Sequence, residues 1–387
     1  MKVATVTNIY GHGKILQHSG TSLVLATQEL GGIEEIDVYT HTENGEKIEF
    51  TKKVRVIPMI NQDRISSYFK LYRAVVTGNY DRVLVNSMPT SQGSRNIPNL
   101  LYLILPVIWS RFHKIKVSVL YHNSPYLNNV KALGYSGVSN AIRTFIIKFI
   151  ERRMFLGCNV YFLLRQYADR IKKNIPKAKA EYSRAVEIDG YTTLYLNGQL
   201  YSDTLKKKYN GLKSTLLIYG SWGPQKDIVK ALGAVKATKG KFNYRIVLAG
   251  DVNLHFPNYA KTFESNVKNY KEVIDERIGY IDERELYPIF MNADIIILPY
   301  LAPGGFSGVL SISMLFGLDI IVPKFDEYKE QASGYEKVHF IPSDFKSENI
   351  VDSIEKIMNN RKYPDEFTIE SGRSFQDFVA EVKKMIG

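Results

Sequence analysis

Lys226 closes the segment Gly220-Ser-Trp-Gly-Pro-Gln-Lys226, in which a glycine turn and a proline lead into the first turn of an expected helix. A helix dipole repels a cation at that end, so a phosphate held between Lys226 and the helix N-terminus is a physical reason for a lysine there. A solvated surface lysine is the alternative. Ser221 sits in the same loop. The segment 299–310, Pro-Tyr-Leu-Ala-Pro-Gly-Gly-Phe-Ser-Gly-Val-Leu, gives the strongest local signal: backbone N–H groups around Gly305, Ser307, Gly308 and Val309 can converge on an anion without a side-chain charge. His122, in Leu120-Tyr-His-Asn-Ser-Pro125, can exchange hydrogen bonds with a substrate hydroxyl or titrate near neutral pH. Satisfying a buried carbonyl is its structural alternative. Tyr280, in Gly279-Tyr-Ile-Asp-Glu283, can lie against a planar base or pack into its own domain. The segment 10–20, ending in Ser19-Gly20, permits close backbone approach before a helix expected near Thr21. Its spacing is not Gly-x-Gly-x-x-Gly, which argues against a nicotinamide site.

Each of these loops follows a short apolar run, and the runs alternate with segments of helical period. Residues 3–7, 35–39, 54–58, 81–86 and 117–121 are expected strands, and 21–30, 66–76 and 99–112 expected helices. Basic helices are expected at 140–155 and 166–173, then a last strand at 184–188. A second series of strands is expected at 214–220, 244–249, 277–281, 294–298, 319–322 and 338–341. Strand then helix, repeated, means parallel strands with crossovers, and ligands of such sheets bind beyond the carboxyl ends of the strands. The expected fold is α/β, with two Rossmann-like doubly wound domains facing across a cleft. The expected division is 1–188, a linker 189–213, a nucleotide-sugar-binding domain 214–365, and a C-terminal helix within 366–387 that packs back on the first domain.

With 387 residues the chain exceeds what one core usually serves, which agrees with two domains. One cysteine, Cys158, can form neither an internal disulfide nor a thiolate metal site, so a reducing cytoplasm is expected. No secretory signal is expected ahead of the first strand. The apolar stretch 97–109 is interrupted by prolines and is short of the roughly 20 residues a spanning helix needs, so a buried or interfacial helix is expected. The net charge of +12 equals the surplus of one segment, 111–184, where 15 Lys/Arg face only Glu151, Asp169 and Glu181. A face this basic suits an anionic partner, phospholipid or nucleic acid, or is simply solvated. No nucleic-acid-binding pattern accompanies it, so nucleic acid is not an expected partner. Ile142, Phe145, Ile146, Phe149 and Ile150 form one helical stripe beside Arg143, Lys148, Arg152 and Arg153, which suits peripheral docking on anionic membrane. Packing into the domain core is the commoner use of such a stripe.

Taken together, the loops resemble those of the GT-B glycosyltransferases, particularly the large retaining group called family four, along the whole chain and most sharply over 214–330. Residues 220–226 resemble the family's Gly-Arg…Lys-Gly phosphate loop, with Lys226 in the lysine position and Ser221 where arginine is customary. Residues 278–281 resemble its base-binding strand, and 292–299 the strand before its donor loop. His122 falls on the active-site histidine and Ser19-Gly20 on a glycine pair. The family's two glutamates, eight residues apart, align with Gly304 and Ile312, and Gly305-Phe-Ser-Gly-Val-Leu310 resembles a variant in which serine and amides hold the phosphates. The resemblance implies transfer of a hexose-type sugar from a UDP- or GDP-sugar to a glycan or lipid-linked acceptor, with retention at the anomeric carbon and the donor phosphate assisting deprotonation of the acceptor. It implies a donor site of Gly20, Ser221, Lys226, Tyr280, Gly305, Ser307, Gly308 and Val309, with His122 and Lys226 in catalysis. No aspartate-rich metal motif occurs, so neither a metal nor another cofactor is expected. A GT-B-shaped scaffold without turnover is one alternative. A nucleotide-sugar epimerase is another, although the loops display no clear carboxylate to remove a proton.

Overall fold

The computed structural model describes residues 1–9, 17–42, 50–61, 64–87, 96–122, 124, 127, 138–184, 204–208, 214–253, 256, 258–281, 283–360, 366–370 and 375–387. They fall into two compact units: unit 1 holds the described residues of 1–184 and 375–387, unit 2 those of 204–370.

Unit 1 alternates strand and helix in chain order: β1 (Lys2–Val6), α1 (Gln17–Glu29), β2 (Glu35–His41), β3 (Val54–Ile60), α2 (Ile65–Thr77), β4 (Arg82–Ser87), α3 (Asn96–Phe112), β5 (Val117–Tyr121), α4 (Val138–Gly157), β6 (Asn159–Phe162), α5 (Arg165–Asn174) and β7 (Ala180–Tyr182). Its sheet has the order β3-β2-β1-β4-β5-β6-β7, every pair parallel. The reversal at β1 and β4 places their carboxyl ends, with that of β5, at the switch of a doubly wound sheet. Val3, Ala4, Val83, Leu84, Val85 and Val119 are fully buried or nearly so, as strands covered on both faces require.

Unit 2 contains β8 (Thr204–Lys208), β9 (Ser214–Tyr219), α6 (Ile228–Lys239), β10 (Tyr244–Gly250), α7 (Tyr259–Lys268), β11 (Asp275–Ile278), α8 (Glu283–Met291), β12 (Ile295–Ile297), α9 (Gly308–Leu315), β13 (Asp319–Pro323), α10 (Asp326–Gln331), β14 (Val338–Ile341), α11 (Ser347–Asn360) and β15 (Glu366–Glu370). The parallel sheet β11-β10-β9-β12-β13-β14 repeats the doubly wound plan, with its switch between β9 and β12. Leu216, Ile218, Ile246, Leu248, Ile295 and Ile297 from three neighbouring strands pack against Leu232 and Val235 of α6 and Ile350 and Ile354 of α11. The two parallel sheets of seven and six strands give the expected mixed α/β class.

Several local expectations differ from the structure. The segment read as a connection contains β8, which pairs antiparallel with β15, Lys208 opposite Glu366. Five residues, Thr-Leu-Lys-Lys-Lys, carry too little apolar pattern to announce a strand. The strand expected at 184–188 falls mostly outside the described residues; β6 and β7, four and three residues long, hold that edge instead. Helix α1 begins at Gln17, so Ser19 and Gly20 lie inside it rather than in a loop before it. In the stripe of α4, Ile142, Phe145, Ile146 and Phe149 are exposed, Phe145 at 73 %, whereas Ile150 is buried with Ile147 and Met154. Arg152 and Arg153 are exposed beside them.

The last helix, α12 (Phe375–Ile386), belongs to unit 1. Phe378, Val379, Val382 and Met385 are buried. Its final carbonyls have no intrahelical donors and receive them from the sheet: Ser118 Oγ donates to Met385 O at 2.5 Å, Arg82 Nε to Ile386 O at 2.5 Å and Tyr161 OH to Lys384 O at 3.1 Å. Cys158 is buried beside α3, and burial pushes its thiol up to about 12, which makes it inert. Among the described residues no helix is long and apolar enough to cross a membrane.

Candidate functional site

In unit 2 the switch between β9 and β12 brings two loops together. The first, 220–227, leaves β9; the second, 298–307, leaves β12. Asp227 N–H donates to Pro299 O at 2.8 Å and Leu301 N–H to Gln225 O at 2.9 Å, so the loops are zipped along their backbones. Lys226 is buried at this seam, 8 % exposed. Its Nζ donates to Ser221 O at 2.8 Å and lies 5.5 Å from the centre of the Trp222 ring and 5.4 Å from that of Tyr300. Gly220 is required by this arrangement, since a Cβ there would sit 2.3 Å from Lys226 Nζ. The sequence placed Lys226 in the first helical turn. In the structure Asp227 is the N-cap of α6, accepting from Lys230 N at 3.1 Å, so Lys226 precedes the helix and folds under the loop. Burial without a carboxylate partner pushes its amine down to about 7.

The second loop ends at Ser307, the N-cap of α9, whose Oγ accepts from Leu310 N at 3.2 Å. Tyr300 OH lies 2.9 Å from the same Oγ, which links the aromatic wall over Lys226 directly to the helix start. Ser307 N–H is already committed, donating to Gln331 Oε1 at 3.0 Å, while Gln331 Nε2 donates to Ser307 O at 2.7 Å and to Ser311 Oγ at 2.9 Å. Ser307 is therefore a positioned cap and not the free amide the sequence suggested. The N–H groups of Gly308 and Val309 accept that part: neither has a protein acceptor among the described residues. Gly305, at φ +94°, makes the turn that aims them. Ser221 is exposed, and its carbonyl, more than its hydroxyl, is what the loop uses. Tyr280, 53 % exposed, follows β11 and is not buried in its domain.

Unit 1 builds a second cluster at the carboxyl ends of β1, β4 and β5. His122 is buried; its Nε2 lies 2.6 Å from Asn86 Oδ1 and 3.1 Å from Ser19 Oγ, and its backbone N–H donates to Ser87 O at 3.0 Å. Burial alone pushes its ring down to about 3, so the imidazole is neutral at physiological pH. Gly20 serves packing here: a Cβ would lie 1.8 Å from Asn8 O and 2.2 Å from Thr7 Oγ1, so only glycine lets α1 seat against the end of β1. Asn86, Trp222, Tyr300 and Gln331 were not anticipated as site residues. Asn86 and Tyr300 end or follow a strand, which was the available signal. Among the described residues no group of three His, Cys, Asp or Glu is placed to hold a metal ion.

Two doubly wound parallel sheets, each with polar residues gathered beyond its switch, define the GT-B class of fold. Solved structures agree over the full length of the chain. Sucrose-phosphate synthase from Thermosynechococcus elongatus is similar with a TM-score of 0.66 at 13% identity, covering 100% of this chain and 95% of its own. The Anabaena protein HepE, in complex with UDP and glucose, is similar with a TM-score of 0.61 at 12% identity, covering 100% and 94%. The UDP-GlcNAc 2-epimerase of Methanocaldococcus jannaschii is similar with a TM-score of 0.57 at 12% identity, covering 99% and 100%. At such identities the likeness is one of fold. No family model matches the chain, and no curated protein matches it by sequence.

Proposed function

We propose that the protein is a metal-independent, retaining glycosyltransferase that moves a hexose from a UDP- or GDP-sugar to a glycan or lipid-linked acceptor. The observation that carries this reading is the pairing of a buried, unneutralised Lys226 with the unpartnered Gly308 and Val309 N–H groups, joined through Tyr300. A buried ammonium without a carboxylate is costly unless an anion completes it. A diphosphate does so. As the bond from sugar to phosphate breaks, negative charge grows on the leaving phosphate, and fixed donors aimed at it stabilise that charge without reorganising. Lys226 and the amides then take the place of a divalent ion. Tyr280 is assigned to the base, Gly305 to the turn under the phosphates, and neutral His122 to a hydroxyl of the sugar or acceptor. Nucleotide binding by HepE supports the choice of donor. Thermal-shift screening with UDP-, GDP- and ADP-sugars tests it, because a donor that binds only the folded state raises the melting temperature by mass action. Stabilisation by none of them would overturn the reading.

The protein is further assigned to the cytoplasmic side, docked peripherally on the inner face of an anionic membrane through α4. Support comes from the exposed Ile142, Phe145, Ile146 and Phe149 beside the exposed Arg152 and Arg153. Each basic residue near such a surface contributes about 1 kcal/mol. Cosedimentation with vesicles should rise with anionic lipid and fall with salt; equal binding to neutral vesicles, or none, contradicts the assignment.

A further inference from the structure

We propose that Asn86 and Ser19 are positioning residues that hold His122 in its neutral Nε2–H tautomer, leaving Nδ1 as a hydrogen-bond acceptor for a substrate hydroxyl. The assignment of a substrate hydroxyl rests on the function proposed above; the tautomer does not.

Three elements supply the cluster: Ser19 from α1, Asn86 from β4 and His122 from the residue after β5. The direction of every hydrogen bond follows from one end. Asn8 O is a backbone carbonyl and can only accept. Thr7 Oγ1 donates to it at 3.0 Å, which uses the one proton of that hydroxyl. Asn86 Nδ2 lies 3.1 Å from Thr7 Oγ1, and the hydroxyl must accept there. The amide orientation of Asn86 is thereby fixed, with its oxygen toward the histidine. An amide oxygen cannot donate, so the 2.6 Å contact to His122 Nε2 requires the proton on the ring nitrogen. Ser19 Oγ lies 3.3 Å from the same oxygen and supplies its second donor. The contact of Ser19 Oγ to Nε2 at 3.1 Å then carries no proton from serine to ring.

The relay has two consequences. The other ring nitrogen keeps its lone pair, so His122 meets a hydroxyl as an acceptor and does not act as a general acid. The ring is held at Nε2 by Asn86 with Ser19 beside it, and the His122 backbone is tied to the sheet by its N–H to Ser87 O, so the ring is placed before substrate arrives. Gly20 belongs to the same device, because the α1 backbone closes over Thr7 and Asn8 and presents Ser19 to Asn86.

Asn86→Asp tests the proposal in the full-length protein with one oxygen in place of one nitrogen. NMR of ¹⁵N-labelled histidine, with His122→Gln identifying the signal, reads tautomer and titration without substrate. Wild-type His122 should keep the neutral Nε2–H signature from about pH 8 to about pH 5. In Asn86→Asp the carboxylate should raise the titration midpoint by roughly 2 units or more. Nucleoside diphosphate release from UDP-glucose or GDP-mannose gives the second readout. Relative to wild type at the same pH, kcat of Asn86→Asp should fall at least about tenfold where the ring is protonated and recover above the new midpoint. KM for the donor should stay within about threefold. An Nδ1–H tautomer, or ordinary titration near pH 6.5, overturns the relay whatever the activity. A locked Nε2–H tautomer with an unchanged pH profile in Asn86→Asp overturns the positioning role. Should Asn86→Asp fail to fold, Ser19→Ala replaces it, with partial loss of the Nε2–H population expected and full retention counting against the proposal. Absence of donor turnover in wild type would refute the proposed function and leave the NMR result standing.

Discussion

Lys226→Met separates a residue kept for function from one kept for stability. The amine is pushed down to about 7 in the folded protein against an ordinary 10.5. Between those values the unfolded chain holds a proton that the folded protein does not. Folding stability of the wild type therefore rises with pH through that window, and below about pH 7 burying the cation costs on the order of 5 kcal/mol. Methionine fills the same volume without charge, and Ser221 O, which loses its donor, belongs to an exposed residue that water can reach. The variant should melt higher than wild type at pH 6 and show a flatter stability-pH profile from about pH 7 to 10. Donor binding should move the other way. Loss of a charge-assisted phosphate bond, about 1.5–3 kcal/mol, weakens affinity by roughly 10- to 150-fold. In wild type the donor must bring a proton to Lys226 above pH 7, so affinity should fall by up to about tenfold per pH unit there, and calorimetry in buffers of different ionisation enthalpy should detect proton uptake. A Lys226→Met protein that is less stable at pH 6, or that binds donor normally, refutes the reasoning.

Three further outcomes follow from the same geometry. His122→Ala should lower turnover more than donor affinity, as steady-state kinetics beside calorimetry would record, because a group acting at the sugar contributes mainly in the transition state. Gly308→Val should leave thermal unfolding near wild type, since a Cβ there meets nothing within 4 Å, yet block the diphosphate and abolish donor-induced stabilisation. Gly20→Ala should cost about 1–3 kcal/mol in denaturant unfolding through its clash with Asn8 O, a direct measure of how tightly α1 is seated.

Both sheets were legible because β-branched and leucine-rich runs recur at α/β spacing. The loops that carry Lys226 and Gly308 were legible for the same reason, each following a strand of the second sheet. The uses of neighbouring residues were not. Ser307 looks like an open anion-binding amide until Gln331, 24 positions on, takes its N–H. Gly20 looks like a ligand glycine until α1 begins at Gln17 and presses it on Asn8. Asn86 stands 36 positions before the histidine it holds, a partnership made by β4 and β5 lying side by side in the sheet. Short edge strands were missed because three or four residues cannot establish a period. Chain-local elements were readable in advance, and hydrogen bonds closed by tertiary structure were not.

Proton NMR of a nucleotide sugar mixed with the purified protein tests the central claim most directly. With UDP-glucose or GDP-mannose, whichever stabilises the fold, the donor's anomeric signal should decay as free nucleoside diphosphate appears, and the decay should accelerate with a glycan or lipid-linked acceptor and vanish in Lys226→Met. A second anomeric signal without release of nucleotide would make the protein an epimerase, and an unchanged spectrum would make it a binding subunit; either result contradicts glycosyl transfer.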